Sequence, residues 1–282
     1  MSEKASRSLV VLSGWLILLC LAVTLLSGLL LGWSYIPTPT QAHASVVSLE
    51  SSSALGRAAR SVHLTASHAA VALSLLHLLL VVARRSFGEG AVNGRRAGWT
   101  SGLLALGALL ALAFGGRILP WDEHAGVSLV LLESFLAVGS ANPVAALLGD
   151  LSLRLQRLWM IHIVGSALLV LCVMVHAPVR RRLAAWWSAG DPWAPAARAL
   201  TALAALLLAA ALVPASLGPP FRLEEVAGEV SAQWYLRWLQ VLSVSSTGLA
   251  RVALVLLCAL GLATPALARV LGGGRLRAFW LA

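Results

Sequence analysis

The chain has 282 residues, 59% of them apolar, with a mean hydropathy of +0.87 and a formal net charge of +10. A soluble domain of this length needs far more polar surface, so the composition specifies an integral membrane protein. The basic excess is placed as a topology signal and gives no reason to expect nucleic-acid binding. Counted alternately from the N-terminus, one set of loops (1–8, 84–98, 179–198 and the C-terminal tail) holds 13 basic and 3 acidic residues, and the other set 8 of each. This positive-inside pattern predicts a multi-pass protein with both termini in the cytoplasm.

The first apolar run, 9–33, follows Lys4 and Arg7 and is too long for a signal-peptide core, so an uncleaved first helix is expected. Further runs follow at 62–83, 99–118, 158–178, 197–217 and 247–267. Each is close to the ~20 residues that a helix needs to cross a hydrocarbon core of ~30 Å. The expected fold is therefore an all-α membrane protein of six transmembrane helices. The segments 119–157 and 218–246 are too long for simple turns and predict short interfacial helices. "SAGDPWAPAAR", 188–198, is the best boundary between two parts, 1–190 and 191–282. Cys20, Cys172 and Cys258 all lie in apolar runs without a CxxC or CxxCH motif, which argues against disulfides, zinc and a covalent c-type haem.

The second run, "SVHLTASHAAVALSLLHLLLVVA", carries His63, His68 and His77, and intramembrane imidazoles are costly enough to imply a task. His63 and His77 are 14 residues apart, as are His162 and His176 in "IHIVGSALLVLCVMVHAP". Fourteen helical steps return a side chain to within ~40° of its starting direction, about 21 Å along the axis. The second and fourth helices run the same way through the membrane. His63 is thus level with His162 near the outer side, and His77 with His176 near the inner side. Two facing imidazoles at each level are suited to ligating one haem iron axially, giving two stacked bis-histidine haems b. His68, about 140° round the helix from His63, leaves this pattern and is expected to hydrogen-bond between helices.

Glycines repeat the same period. Gly14 and Gly28 lie on the first helix and Gly102 and Gly116 on the third, where a missing Cβ admits a flat macrocycle. The four helices together predict a dihaem four-helix bundle. Arg60 and Arg157, near the outer helix ends, are expected either to meet haem propionates or to snorkel to the interface.

With these residues in place, the chain resembles cytochrome b, the core subunit of quinol–cytochrome c oxidoreductases, nearer the photosynthetic and bacterial branch. The motifs are "SGLLLGWSYIPTPTQAHASV", "RSVHLTAS", "GWTSG", "GGRILPWDE" and "RLWMIH". The resemblance implies electron transfer between quinone sites on the two membrane faces, with a Rieske-type iron–sulfur protein and a c-type cytochrome as partners, the quinone pool as substrate, and a homodimer within the complex. It implies an outer quinol site at Pro120, Trp121 and Glu123 of "LPWDE", together with Gln233, Trp234 and Tyr235 of "SAQWYLRW".

Several departures accompany the likeness. The family carries Pro-Glu-Trp-Tyr where this chain has Ala232, Gln233, Trp234 and Tyr235. A glutamine cannot take up the quinol proton assigned to that glutamate. Either another group substitutes, with Glu123, Glu224, Glu225, Glu229 and His124 as candidates, or the chain is a transmembrane electron conduit that does not split the electron pair. Leu12 occupies the position of the cysteine that binds an extra haem in the photosynthetic branch, so no such haem is expected. Ile163 replaces a proline that often follows the first histidine of the fourth helix. The later helices of full-length relatives are absent, either lost or supplied by another subunit.

Overall fold

The computed structural model describes residues 3–83, 94–136, 151–176, 193–222 and 233–271. Its helices are α1 (Glu3–Ser34), α2 (Ala42–Ser52), α3 (Ala54–Ala83), α4 (Gly94–Ile118), α5 (Glu123–Leu136), α6 (Leu151–His176), α7 (Trp193–Leu212), α8 (Arg237–Ser245) and α9 (Thr247–Leu271). Among the described residues the rest is turn and loop, apart from one isolated bridge between Asp122 and Pro220.

Each of the six apolar runs contains a helix, as α1, α3, α4, α6, α7 and α9, but α7 ends at Leu212, five residues short of the expected run 197–217, and 177–178 lie outside the described residues. Several helices extend beyond their apolar run. Thus α3 begins at Ala54, because "ALGRAARS" is rich in strong helix formers that need no apolar face. Four helices are long and apolar enough to cross a membrane: Leu9–Ser34, Ala54–Ala83, Gly98–Ile118 and Leu153–Met174. The apolar stretches of α7 and α9, Leu200–Ala210 and Gly248–Thr264, are shorter. On α6, Met160, Ile161, Val164, Leu168 and Leu171 are exposed, a surface that suits lipid and not water.

Helix α1 packs along α3 and α4 along α6, and contacts of α1 with α6 and α3 with α4 close the group. Their shared core holds Cys20, Leu21, Ala70, Val71, Leu109 and Leu169, joined by Tyr235 from the segment before α8. Ala70 is fully buried, so a small side chain lets neighbouring helices approach closely. The three cysteines are unpaired. Helix α9 is fastened to α4 by the Trp99 Nε1–H, which donates to the Gly261 carbonyl at 2.8 Å.

The interfacial helices expected in 119–157 and 218–246 appear as α5 and α8, while α2 has no counterpart in the expectations. A buried carboxylate, Asp122, ties this end together. Its Oδ1 accepts the Ala125 N–H at 2.9 Å, capping the first turn of α5. Its Oδ2 accepts from the Arg117 guanidinium at 3.2 Å and from the Gly218 N–H at 3.3 Å. The preceding residue, Trp121, has φ of 54°, an uncommon value for a bulky side chain that costs about 1–3 kcal/mol. Two contacts offset that strain: the Phe221 N–H donates to the Trp121 carbonyl at 2.9 Å, and the two rings meet edge to face at 5.3 Å. Residues 213–222 are thereby fixed to residues 117–126. Arg60, also buried, reaches the same segment, donating to the carbonyls of Ala215 and Ser216, both at 2.8 Å, and to Glu50.

Removing one partner of a buried ion pair leaves the other uncompensated. Asp122→Ala should therefore destabilise the protein by about 3 kcal/mol, read as a lower unfolding midpoint in detergent. An unchanged midpoint would show that the knot contributes nothing.

Candidate haem-binding site

The four bundle histidines lie on α3 (His63, His77) and α6 (His162, His176), and each is received by the neighbouring helix that packs along its own. The His63 Nδ1–H donates to the Thr24 carbonyl of α1 at 2.9 Å, and that of His162 to the Leu112 carbonyl of α4 at 3.1 Å. The other two meet hydroxyls: His77 Nδ1 lies 2.9 Å from Ser13 Oγ, and His176 Nδ1 lies 2.9 Å from Ser101 Oγ. Direction follows from the serines' own protons. Ser13 Oγ–H donates to the Val10 carbonyl at 3.0 Å and Ser101 Oγ–H to the Gly98 carbonyl at 3.2 Å, so both hydroxyls accept from imidazole. In all four rings Nδ1 carries the proton, so Nε2 is the nitrogen that bears the lone pair.

The glycines make room for these rings. A Cβ on Gly28 would lie 2.9 Å from His63 Cε1, one on Gly116 2.6 Å from His162 Cε1, and one on Gly102 2.9 Å from His176 Cε1. The ring edge itself therefore occupies the space expected for a macrocycle at these three positions. Gly14 follows Ser13 as Gly102 follows Ser101. The Ser–Gly doublets 13–14, 27–28 and 101–102 are a signal that the glycine spacing alone does not reveal.

His63 and His162 face each other with ring centroids 6.2 Å apart and planes at 63°. They border a mainly apolar cavity of about 400 Å³ among α1, α3, α4 and α6, shared with His68, Arg117, Gln233 and Tyr235. Arg60 and Pro120 also line it. His68 sits edge to face with Tyr235 at 5.9 Å and within hydrogen-bonding reach of the Gln233 side chain. Burial pushes the Tyr235 phenol up to about 12, against the opposing effect of Arg117, so it stays protonated. Burial likewise raises Tyr35, whose hydroxyl donates to the Leu119 carbonyl at 2.6 Å.

Of the expected outer quinol-site residues, the cavity thus gathers Pro120, Gln233 and Tyr235. Trp121 is turned into the packing with Phe221, Trp234 is exposed against Tyr235, and Glu123 lies beside Gly218 and 4.0 Å from His124. Arg157 does not line the cavity. Glu224, Glu225 and Glu229 lie outside the described residues. Sequence reasoning missed Arg117, although it adjoins Gly116, and it missed Ser13 and Ser101.

These features define an integral-membrane helical bundle with paired intramembrane imidazoles around an internal cavity. The cytochrome b/b6/petB family model matches residues 4–181, and the chain belongs to that family. It is 34% identical to cytochrome b6 of Heliomicrobium gestii over 110 residues, 39% of this chain and 50% of that one. It is 30% identical to the menaquinol:cytochrome c reductase cytochrome b subunit of Geobacillus thermodenitrificans over 171 residues, 57% of this chain and 74% of that one. The chain thus spans about half the length of the first of these relatives. A chain of a hyperthermophilic respiratory Complex III has the same fold, with a TM-score of 0.74 at 20% identity, covering 91% of this chain and 75% of that one.

The family implies haem b, and the residues present fit it. Two metal–nitrogen bonds of about 2.0 Å, with the span from each nitrogen to its ring centre, set paired imidazoles roughly 6 Å apart. The His63 and His162 centroids are 6.2 Å apart, with both Nε2 atoms uncommitted to Nδ1-side partners. Gly116→Val should displace the His162 ring and lower the haem b content of the purified protein, measured by its absorbance. Gly107→Val, at a position with no atom within 4 Å of the added Cβ, should leave it unchanged.

Proposed function

We propose that the chain is the dihaem cytochrome b subunit of a membrane quinol oxidoreductase complex, carrying electrons between quinone sites on the two membrane faces. In this reading residues 1–190 form the dihaem bundle, and 191–282 add two further spans and part of the quinone sites. The partners are a Rieske-type iron–sulfur protein and a c-type cytochrome, in a homodimeric complex of a bacterial cytoplasmic membrane with both termini cytoplasmic.

The observation that carries the proposal is the opposed pair His63 and His162, held by Nδ1 donation over Gly28 and Gly116. His77 and His176 repeat the arrangement 14 residues along each helix, with Ser13 and Ser101 as acceptors. Haem b, if held between each pair, would supply a one-electron carrier. The chain's part is to fix the imidazole tautomer, orient the rings and exclude water from both levels. Arg60 has three N–H contacts with Glu50, Ala215 and Ser216, and still borders the cavity, where it is available to a propionate.

A second reading, a transmembrane conduit that does not split the electron pair, is favoured by one feature. Among the described residues, no Asp or Glu lines the cavity, and Gln233 stands where the family has a carboxylate.

In the assembled complex, with quinol present and the inner quinone site blocked, an added oxidant should transiently reduce the b haems. A complex that holds its haems without this response supports the conduit. Replacing His77 or His176 by Ala should remove one haem and leave the other, measured by redox-difference spectra; retention of both would overturn the ligand assignment.

A further inference from the structure

The cavity beside His63 and His162 presents few groups able to accept a proton. The guanidinium groups of Arg60 and Arg117 are donors with no acceptor atom. Tyr35 and Tyr235 are buried phenols and already carry their protons. His63 and His162 face each other with ring centroids 6.2 Å apart and commit Nδ1–H to carbonyls, and both are assigned to haem. Gln233 is an amide. Among the described lining residues, the imidazole of His68 remains as a side chain able to accept a proton.

Its placement suits that task. His68 is five residues beyond His63 on α3, about 140° round the helix, so it stands off the ligand face yet borders the same cavity. The Gln233 side chain engages the ring and Tyr235 packs against it edge to face, which hold it in one orientation. One ring nitrogen is left for a ligand. The charged and titratable groups facing it are Arg117, itself paired with Asp122, and Tyr235. Leucine dominates the remaining lining, with Val46, Val170, Trp33 and Trp159, the surface a planar apolar ring with an isoprenoid tail requires.

We propose that His68 is a proton acceptor, taking a hydroxyl proton from a hydroquinone-type reductant bound at its Gln233 and Tyr235 side, apart from the space between His63 and His162 that haem would fill. The inference rests on the proposed quinol-oxidising function. Oxidation of one quinol to quinone releases two protons and two electrons. The electrons leave singly, to haem and iron–sulfur acceptors of the surrounding complex. The O–H bond of one hydroxyl breaks as an N–H bond forms on the free nitrogen of His68, and that proton later returns to water. The second hydroxyl proton leaves to water. Protonated imidazole cannot accept again, so the rate should fall as pH drops through the titration range of His68.

The test uses the assembled complex and measures quinol-driven haem reduction against pH in His68→Gln, His68→Asn and His68→Ser. Variants with unchanged haem b content should be slower by about 100-fold or more, and their residual activity should lack the acid limb of the wild-type profile. A haem-replete variant with the wild-type rate and profile overturns the proposal. Loss of haem from all three variants would mark His68 as a structural residue and overturn it equally. Failure of the underlying functional reading looks different: wild-type complex with its haems would then show no quinol-driven reduction at all.

Discussion

Placing an imidazole in hydrocarbon is the constraint on which the rest of this structure depends. A buried N–H without an acceptor costs several times what a satisfied one contributes. The protein meets that cost four times by the same division of labour. Helices α3 and α6 supply rings, and α1 and α4 supply acceptors, a carbonyl for His63 and His162 and a hydroxyl for His77 and His176. Because the acceptors stand on the helix beside each ring, α1 must lie close along α3 and α4 along α6, which is the dominant packing observed. Glycine follows from the same demand: at Gly28, Gly102 and Gly116 any Cβ would collide with the ring that the neighbouring acceptor holds.

The two depths are therefore related but unequal. Carbonyl acceptors belong to helix backbone whose position the whole helix sets, whereas Ser13 and Ser101 are side chains already committed to carbonyls three residues back. A ligand imidazole is more basic when its Nδ1–H meets a stronger acceptor, and an amide carbonyl is a stronger acceptor than a hydroxyl. If the four rings hold haem as proposed, the two levels would differ electronically without any change of ligand.

The 14-residue histidine and glycine periods were legible in the sequence because helix geometry is local: identity and spacing specify which side chains share a face. Six helical runs were legible for the same reason. What could not be read is non-local. Asp122 gathers Arg117 and Gly218, and Arg60 gathers Glu50, Ala215 and Ser216, contacts that reach across up to 156 residues. No pattern within "LPWDE" tells that Trp121 and Asp122 build the scaffold while Pro120 alone of the expected residues there faces the cavity. Helix α2, "AHASVVSLESS", escaped notice because it is short and half polar and so lacks the hydropathy that marks a span. Ser13 and Ser101 lay in plain view beside the glycines, but a serine in a helix is more often bonded to its own backbone, as these also are.

The same burial that demands neutral, hydrogen-bonded ligand rings also separates His68 from its neighbours by role. His63 commits one nitrogen to a carbonyl and faces the His162 ring at 6.2 Å, a place assigned to haem. His68 meets an amide side chain and a ring edge, partners that orient an imidazole without neutralising a charge on it. A carboxylate at position 233 would instead pair with any imidazolium formed there and hold the proton in place. Gln233 offers no such trap. An amide at this point in the chain therefore leaves the adjacent imidazole able to load and unload a proton, so Gln233 and His68 act as two halves of one arrangement.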